Sequence, residues 1–107
     1  MKLTILDEVA STNEVVKAAL REGKAEGLVV RARRQSGGYG RQGRIWDSPE
    51  GGLYMSMLLR PDVAGSGLAT LSLVAGLAVQ RALAAMAEAP FRDGIQLKWP
   101  NDIVYMD

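Results

Sequence analysis

The chain has 107 residues, 48% hydrophobic and 23% charged, with a formal net charge of +1. That is the balance of one globular domain or a piece of one, without a disorder signature or an overall drive toward nucleic acid or membrane. Neither Cys nor His occurs, which excludes disulfides, thiol nucleophiles and zinc sites built on those ligands, and removes the commonest general base.

In chain order, Met1-Lys2 leads directly into Leu3 to Val9, a strand candidate with no signal-peptide pattern ahead of it. Ser11-Thr12-Asn13-Glu14 has the S-x-x-E form of a capping box. Val15, Val16, Ala19 and Leu20 follow at helical spacing, and Gly23 is a stop signal. Leu28 to Ala32 is rich in strand formers, and Gln35 to Gly43 is a loop with four glycines in nine positions. After a turn at Ser48 to Gly52, Leu53 to Leu59 reads as a mostly buried strand. Ser66 is placed to cap a long helix over Leu68 to Ala89 that is apolar almost all round, as a central helix would be. Its most apolar stretch, Leu68 to Val79, is too short to cross a bilayer, so the expected location is the cytoplasm. Arg92-Asp93-Gly94 is a turn, and Ile95 to Trp99 and Ile103 to Tyr105 are strands around Pro100-Asn101-Asp102. Consecutive strands without helices between them argue for a mixed or antiparallel sheet packed with helices.

Chemistry concentrates in two places. Gly38-Tyr39-Gly40-Arg41-Gln42-Gly43 fits G-x-G-x-x-G, but Arg44 to Pro49 with Gly51-Gly52 behind it cannot form the helix that a dinucleotide fingerprint must open. Arg31, Arg33, Arg34, Arg41 and Arg44 fall within fourteen residues, with no acid between Glu26 and Asp47. Glycine amides and forked arginine donors suit an anion, phosphate or carboxylate; the plainer alternative is a surface loop with solvated arginines. Mutual repulsion of those arginines leads us to expect a loop that is mobile until an anion orders it. Trp46 is either a base-stacking platform or a core or rim aromatic. Lys98-Trp99-Pro100-Asn101-Asp102 is either a polar turn or the edge of a pocket.

Together, Ser11-Thr12-Asn13, Gln35 three residues before Gly38, the loop through Arg44-Ile45-Trp46, Ser48-Pro49 leading into Gly52-Leu53-Tyr54-Met55-Ser56, and Lys98 to Asp102 resemble the biotin–protein ligase family. The resemblance runs from about Leu6 to the end, in the family's order and spacing. It implies an α/β (α+β) fold: a mixed, largely antiparallel sheet with packed helices, like the catalytic core of class II aminoacyl-tRNA synthetases and incomplete at the C-terminus. Residues 1–107 would form the N-terminal part of one catalytic domain. The implied activity is ATP-dependent conversion of biotin to biotinyl-5'-AMP and its transfer to a lysine of a biotin carboxyl carrier protein, with ATP, biotin and Mg²⁺ as ligands.

By the same resemblance, Ser11, Thr12, Asn13, Gln35, Gly38, Tyr39, Gly40 and Arg41 would hold biotin. Arg41, Arg44, Trp46, Asn101 and Asp102 would bind ATP, Trp46 against adenine, and Arg41 and Lys98 would be the catalytic cations; a metal ligand set is not specified. Tyr39 stands where the family usually has Arg, so one expected cation is absent. The family's principal catalytic lysine is expected beyond Asp102, in a segment this chain lacks, and no winged helix precedes Leu3, so DNA binding is not expected. A homodimer is one assembly open to it. Lipoate or octanoate transfer on the same fold, or a catalytically incompetent ligand-binding fragment, are the alternatives.

Overall fold

The computed structural model describes residues 1–99 and 101–106, with the side chains of all of these except Arg41, Ser66 and Ala69. Pro100 of the Lys98–Asp102 motif therefore lies outside the described residues. The chain forms two compact units, Met1–Pro61 and Asp62–Asp107.

The first unit is built from β1 (Lys2–Val9), α1 (Thr12–Arg21), β2 (Leu28–Gln35) and β3 (Tyr54–Met57). β1 and β2 run parallel, with Lys2 opposite Leu28 and Val9 opposite Gln35. Parallel neighbours need a crossover connection, and α1 supplies it. β3 returns antiparallel along β2, Val29 opposite Met57 and Ala32 opposite Tyr54. The central strand β2 is the most deeply buried, Val30 and Ala32 being 1% and 0% exposed. Val30 packs with Val16 of α1 and with Leu58, and Leu6, Val15 and Leu28 close around them. β2 runs on to Gln35, further than its strand formers alone suggested, because its last residues pair with β1.

α1 forms where the spacing predicts. Ser11 is its N-cap, in extended conformation, its Oγ accepting the Asn13 N–H at 3.2 Å. Val16 and Ala19 are the face it buries. Gly23, at φ +78°, ends it: the Gly23 N–H donates to the Leu20 carbonyl and the Lys24 N–H to that of Ala19. The capping box is only half made, because the Glu14 carboxylate bonds Tyr39 and Lys17 instead of turning back to the cap.

The second unit holds α2 (Gly65–Met86), a 3-10 turn at Phe91–Gly94, and the hairpin of β4 (Ile95–Lys98) and β5 (Asp102–Tyr105). Two expectations fail here. Ser66 does not cap α2; it lies inside the helix, and Ala64 occupies the N-cap with no side-chain bond. Nor is α2 buried all round: Leu68, Val74, Leu77, Val79 and Leu83 are 40% to 56% exposed. A two-stranded hairpin covers only one side of a helix. On that side Gly76 lets Leu97 approach closely, and the Gln80 side chain donates to the Ile95 carbonyl at 2.7 Å. At the helix C-terminus the Arg92 guanidinium donates to the carbonyls of Ala84 and Ala87, a cation where the helix dipole favours one. Among the described residues no helix is long and apolar enough to cross a membrane.

Candidate functional site

In the first unit the start of α1, the end of β2 and one residue of β3 meet in a single polar network. The Thr12 N–H, the first orphan donor of α1, donates to Gln35 Oε1 at 2.8 Å. Ser56 Oγ donates to Asn13 Oδ1 at 2.5 Å, so its partner Thr12 Oγ1, 2.8 Å away, must be the donor between the two hydroxyls. Gln35 Nε2 donates to Ser48 Oγ at 3.1 Å, and Ser48 Oγ donates to the Trp46 carbonyl at 3.0 Å. Ser11, Thr12 and Ser48 are 4%, 4% and 3% exposed, and among the described residues no buried side-chain polar atom lacks a partner. Gln35 thus ties the helix start to the base of the loop, and one N–H and one lone pair of its amide remain for a ligand.

The glycine-rich loop is a small hairpin. The Trp46 N–H donates to the Gly38 carbonyl at 2.9 Å and the Gly40 N–H to that of Arg44 at 2.7 Å, with Tyr39 and Ile45 bridged between them. Its base is anchored where the Ser36 and Gly37 N–H groups donate to Val9 and Ala10. A Cβ at Gly38 would overlap Ser48 Oγ, the Trp46 carbonyl and Gln35 Nε2, so glycine is required there by close approach. Beside this hairpin is a pocket of about 620 Å³ lined by Gln35, Gly38, Tyr39, Trp46, Asp47 and Ser48 among others. That is the size of a small-molecule site. Trp46 is 62% exposed at its rim and not a core residue.

Three of the five arginines do not turn to the loop. Strand geometry sends alternate residues to opposite faces, so Arg31 and Arg33 line a separate pocket with Ile5, Glu50, Gly51 and Gly52. Arg34 is held by Glu8 at 2.7 Å and Asp7 at 3.2 Å. Arg31, Arg33 and Arg34 therefore do not add to a positive field at the loop, and Asp47 stands in the wall of its pocket. The Arg41 side chain lies outside the described residues.

In the second unit Lys98 and Asp102 face each other across the β4–β5 ladder. Lys98, Asn101 and Asp102 are all exposed, and no ion pair joins them to another described residue.

Ser56 and Ser48 were not singled out from sequence as site residues. For Ser56 the available signal was a lone serine amid the apolar run Leu53 to Leu59, on the positions that alternate inward with Tyr54 and Leu58. Glu14 and Lys17, whose role depends on Tyr39 reaching them across 25 and 22 positions, gave no such signal.

A scan of family models matches residues 6–107 to the biotin/lipoate A/B protein ligase family. The chain belongs to this family. Among curated relatives, the bifunctional ligase/repressor BirA of Bacillus spizizenii is 39% identical over 101 residues, covering 92% of this chain and 29% of its own length. The biotin–[acetyl-CoA-carboxylase] ligase of Paracoccus denitrificans is 38% identical over 101 residues, covering 94% of this chain and 40% of its own. The ligase-family chain thus spans well under two thirds of either relative. Among solved structures, the biotin protein ligase of Aquifex aeolicus in complex with biotin and ATP superposes with TM-score 0.80 at 44% identity, over 97% of this chain and 41% of that one. The Leishmania major enzyme in complex with biotinyl-5-AMP gives TM-score 0.80 at 32% identity, over 97% and 47%. The α+β, class II synthetase-like class expected from the sequence is therefore the fold of this family member.

Proposed function

We propose that this segment belongs to an enzyme that joins biotin to ATP as biotinyl-5'-AMP and passes the biotinyl group to a lysine of a carboxyl carrier protein, in the cytoplasm. The observation that carries the reading is the loop pocket. Its wall is a glycine hairpin packed onto Gln35 and Ser48, beside an α1 start whose Ser11, Thr12 and Asn13 carry the family's motif. Relatives of this chain are named biotin ligases, and one is solved with biotin and ATP.

The chemistry fits a chain without His or Cys. A biotin carboxylate is already the nucleophile; it attacks the α-phosphate in line, and pyrophosphate leaves. Lysine then attacks the carbonyl of the mixed anhydride and AMP leaves. What the protein must supply is position and charge stabilisation. In this reading Ser11, Thr12, Asn13 and Gln35 orient biotin, and Gly38, Tyr39 and Gly40 close over it. Arg41 and Arg44 meet phosphate, and Trp46 lies against adenine. In the second unit Lys98, Asn101 and Asp102 carry over as nucleotide-facing groups, and both units would belong to one catalytic domain.

Magnesium fits as an ion carried by the triphosphate. Mg²⁺ is usually held through one or two carboxylates plus substrate phosphates, and no cluster of three metal-ligating side chains occurs among the described residues. Asn101 and Asp102 would be its protein contacts, and its chemistry there is neutralisation of phosphate charge.

The test is pyrophosphate release and mass-spectrometric detection of the acyl-adenylate by the full-length protein that holds this segment, with biotin, lipoate or octanoate as the acid. Biotin-dependent release is expected; release with lipoate or octanoate in its place would move the chain to the other branch of its family.

A further inference from the structure

We propose that Glu14 and Lys17 of α1 are positioning residues for the glycine-rich loop, acting through Tyr39 to hold its first arm against the helix before any ligand arrives. The three side chains form a closed triangle. The Tyr39 hydroxyl donates to Glu14 Oε1 at 2.8 Å and accepts from Lys17 Nζ at 3.0 Å. Lys17 Nζ also donates to Glu14 Oε1 at 3.4 Å and lies 5.3 Å from the Tyr39 ring centroid, within cation–π range. Glu14 and Lys17 stand three residues apart on one face of α1, the spacing at which helix side chains meet.

Among the described residues the loop has little else that joins it to another element. The Gly38–Trp46 and Gly40–Arg44 rungs join the hairpin to itself, and the bonds from Ser36 and Gly37 hold only its base. Between Ser36 and Arg41 the sequence is Gly-Gly-Tyr-Gly, so Tyr39 is the one side chain there that can reach another element. Glu14 forgoes the reciprocal half of a capping box to meet it. Exposed ion pairs contribute little singly, but here each partner is held by the other two, and the bonds to charged groups are the stronger kind. In agreement, the Glu14 carboxyl is held below the usual carboxylate range, first by the Tyr39 hydroxyl and then by Lys17. The Lys17 ammonium is pushed above its ordinary value by the same contacts.

The proposal rests on reading the loop as the cover of the ligand pocket. A loop already in place does not have to be ordered when ligand binds, so the fraction of molecules competent to bind is larger. The residue that stands in place of an expected loop cation then acts as an anchor for the loop.

The test is trypsin cleavage at Arg41 and Arg44 in the ligand-free full chain. Glu14→Gln, Lys17→Met and Tyr39→Phe are each expected to speed loop cleavage about three- to tenfold, the scale of losing one charge-assisted bond. Melting temperature should stay unchanged, because Glu14 and Lys17 are exposed and Tyr39→Phe keeps the half-buried ring. The Glu14→Gln/Tyr39→Phe double variant should fall short of the product of its singles, since both remove one contact. Glu14→Gln should also raise the apparent Kd for biotin, by the ratio of wild-type to variant closed fractions, with kcat unmoved. Wild-type cleavage rates in Glu14→Gln, or fully multiplicative effects in the double variant, would overturn the tether. Faster ligand-free cleavage with no protection by biotin plus ATP would instead overturn the ligand reading of the loop.

Discussion

At Gly38 a methyl group would meet two side chains and a carbonyl, whereas at Gly40 the nearest atom is Trp46 Cε3, at 3.7 Å. The two glycines share a motif but answer to different constraints. Gly38→Ala should destabilise the first unit by about 1–3 kcal/mol, the usual cost of overpacking, while Gly40→Ala should stay within about 0.5 kcal/mol; urea denaturation of both variants tests the contrast. Trp46 makes a complementary case. Being largely exposed, it can be truncated without opening a core cavity. Trp46→Ala is expected to weaken ATP binding by about 1–3 kcal/mol through lost stacking and to leave biotin binding without nucleotide unchanged, both read by calorimetry. Equal losses for the two ligands would remove Trp46 from the nucleotide site. Tyr39→Phe should let the Glu14 carboxyl rise toward its ordinary 4.5, because the hydroxyl is the largest cause of its lowering. A carboxyl carbon titration by NMR that shows no rise would mean that Lys17 alone accounts for the shift.

Between elements, the contact of α1 with the loop sets a window of pH. Glu14 is more acidic folded than unfolded, so its share of that contact is complete above the ordinary carboxylate value and fades as pH falls through the lowered one. Lys17 is shifted upward, so its share is complete below its ordinary value of 10.5 and fades as pH rises through the raised one. Amide exchange of the loop should accordingly show a protection plateau across neutral pH, with loss at the acid and alkaline ends, after correction for intrinsic rates. α1 itself was legible in the sequence, because a cap, an apolar stripe and a C-terminal glycine are local signals that agree. The start of α2 was not: Ser66 looks like a cap, yet the helix begins before it. The arginine cluster misled for another reason. Spacing in sequence does not say which face of β2 a side chain takes, nor that Asp7 and Glu8, on a strand formed much earlier in the chain, would claim Arg34. The family motifs were legible as residues, but the bonds that Gln35, Ser48 and Ser56 make depend on three elements meeting.

At the scale of a whole unit, the three-stranded sheet of the first carries apolar side chains on the face that α1 does not cover. Leu3, Ile5, Met55 and Met57 alternate with the core positions and are 55%, 53%, 51% and 41% exposed. Ile5, Arg31 and Met55 form one cross-strand row on that face. Contiguous apolar surface of this kind drives association. The 107-residue chain should therefore self-associate at micromolar concentrations in sedimentation velocity. Met55→Glu, which sets a carboxylate opposite Arg31, should shift it toward monomer at little cost in stability; unchanged association would acquit this face. The network around Gln35 bears on how such a pocket can change its preference over generations. Ser11, Thr12 and Gln35 are at once the wall proposed to touch biotin and the scaffold that starts a helix and seats a hairpin. A substitution there cannot retune the choice of acid without also loosening the fold. Asn13, exposed and joined to that network by a single side-chain bond from Ser56, is free of most of that double duty. Directed evolution toward a different carboxylic acid should therefore accumulate its first tolerated changes at Asn13, while Ser11, Thr12, Gln35 and the loop anchor Tyr39 stay fixed until stabilising substitutions elsewhere release them.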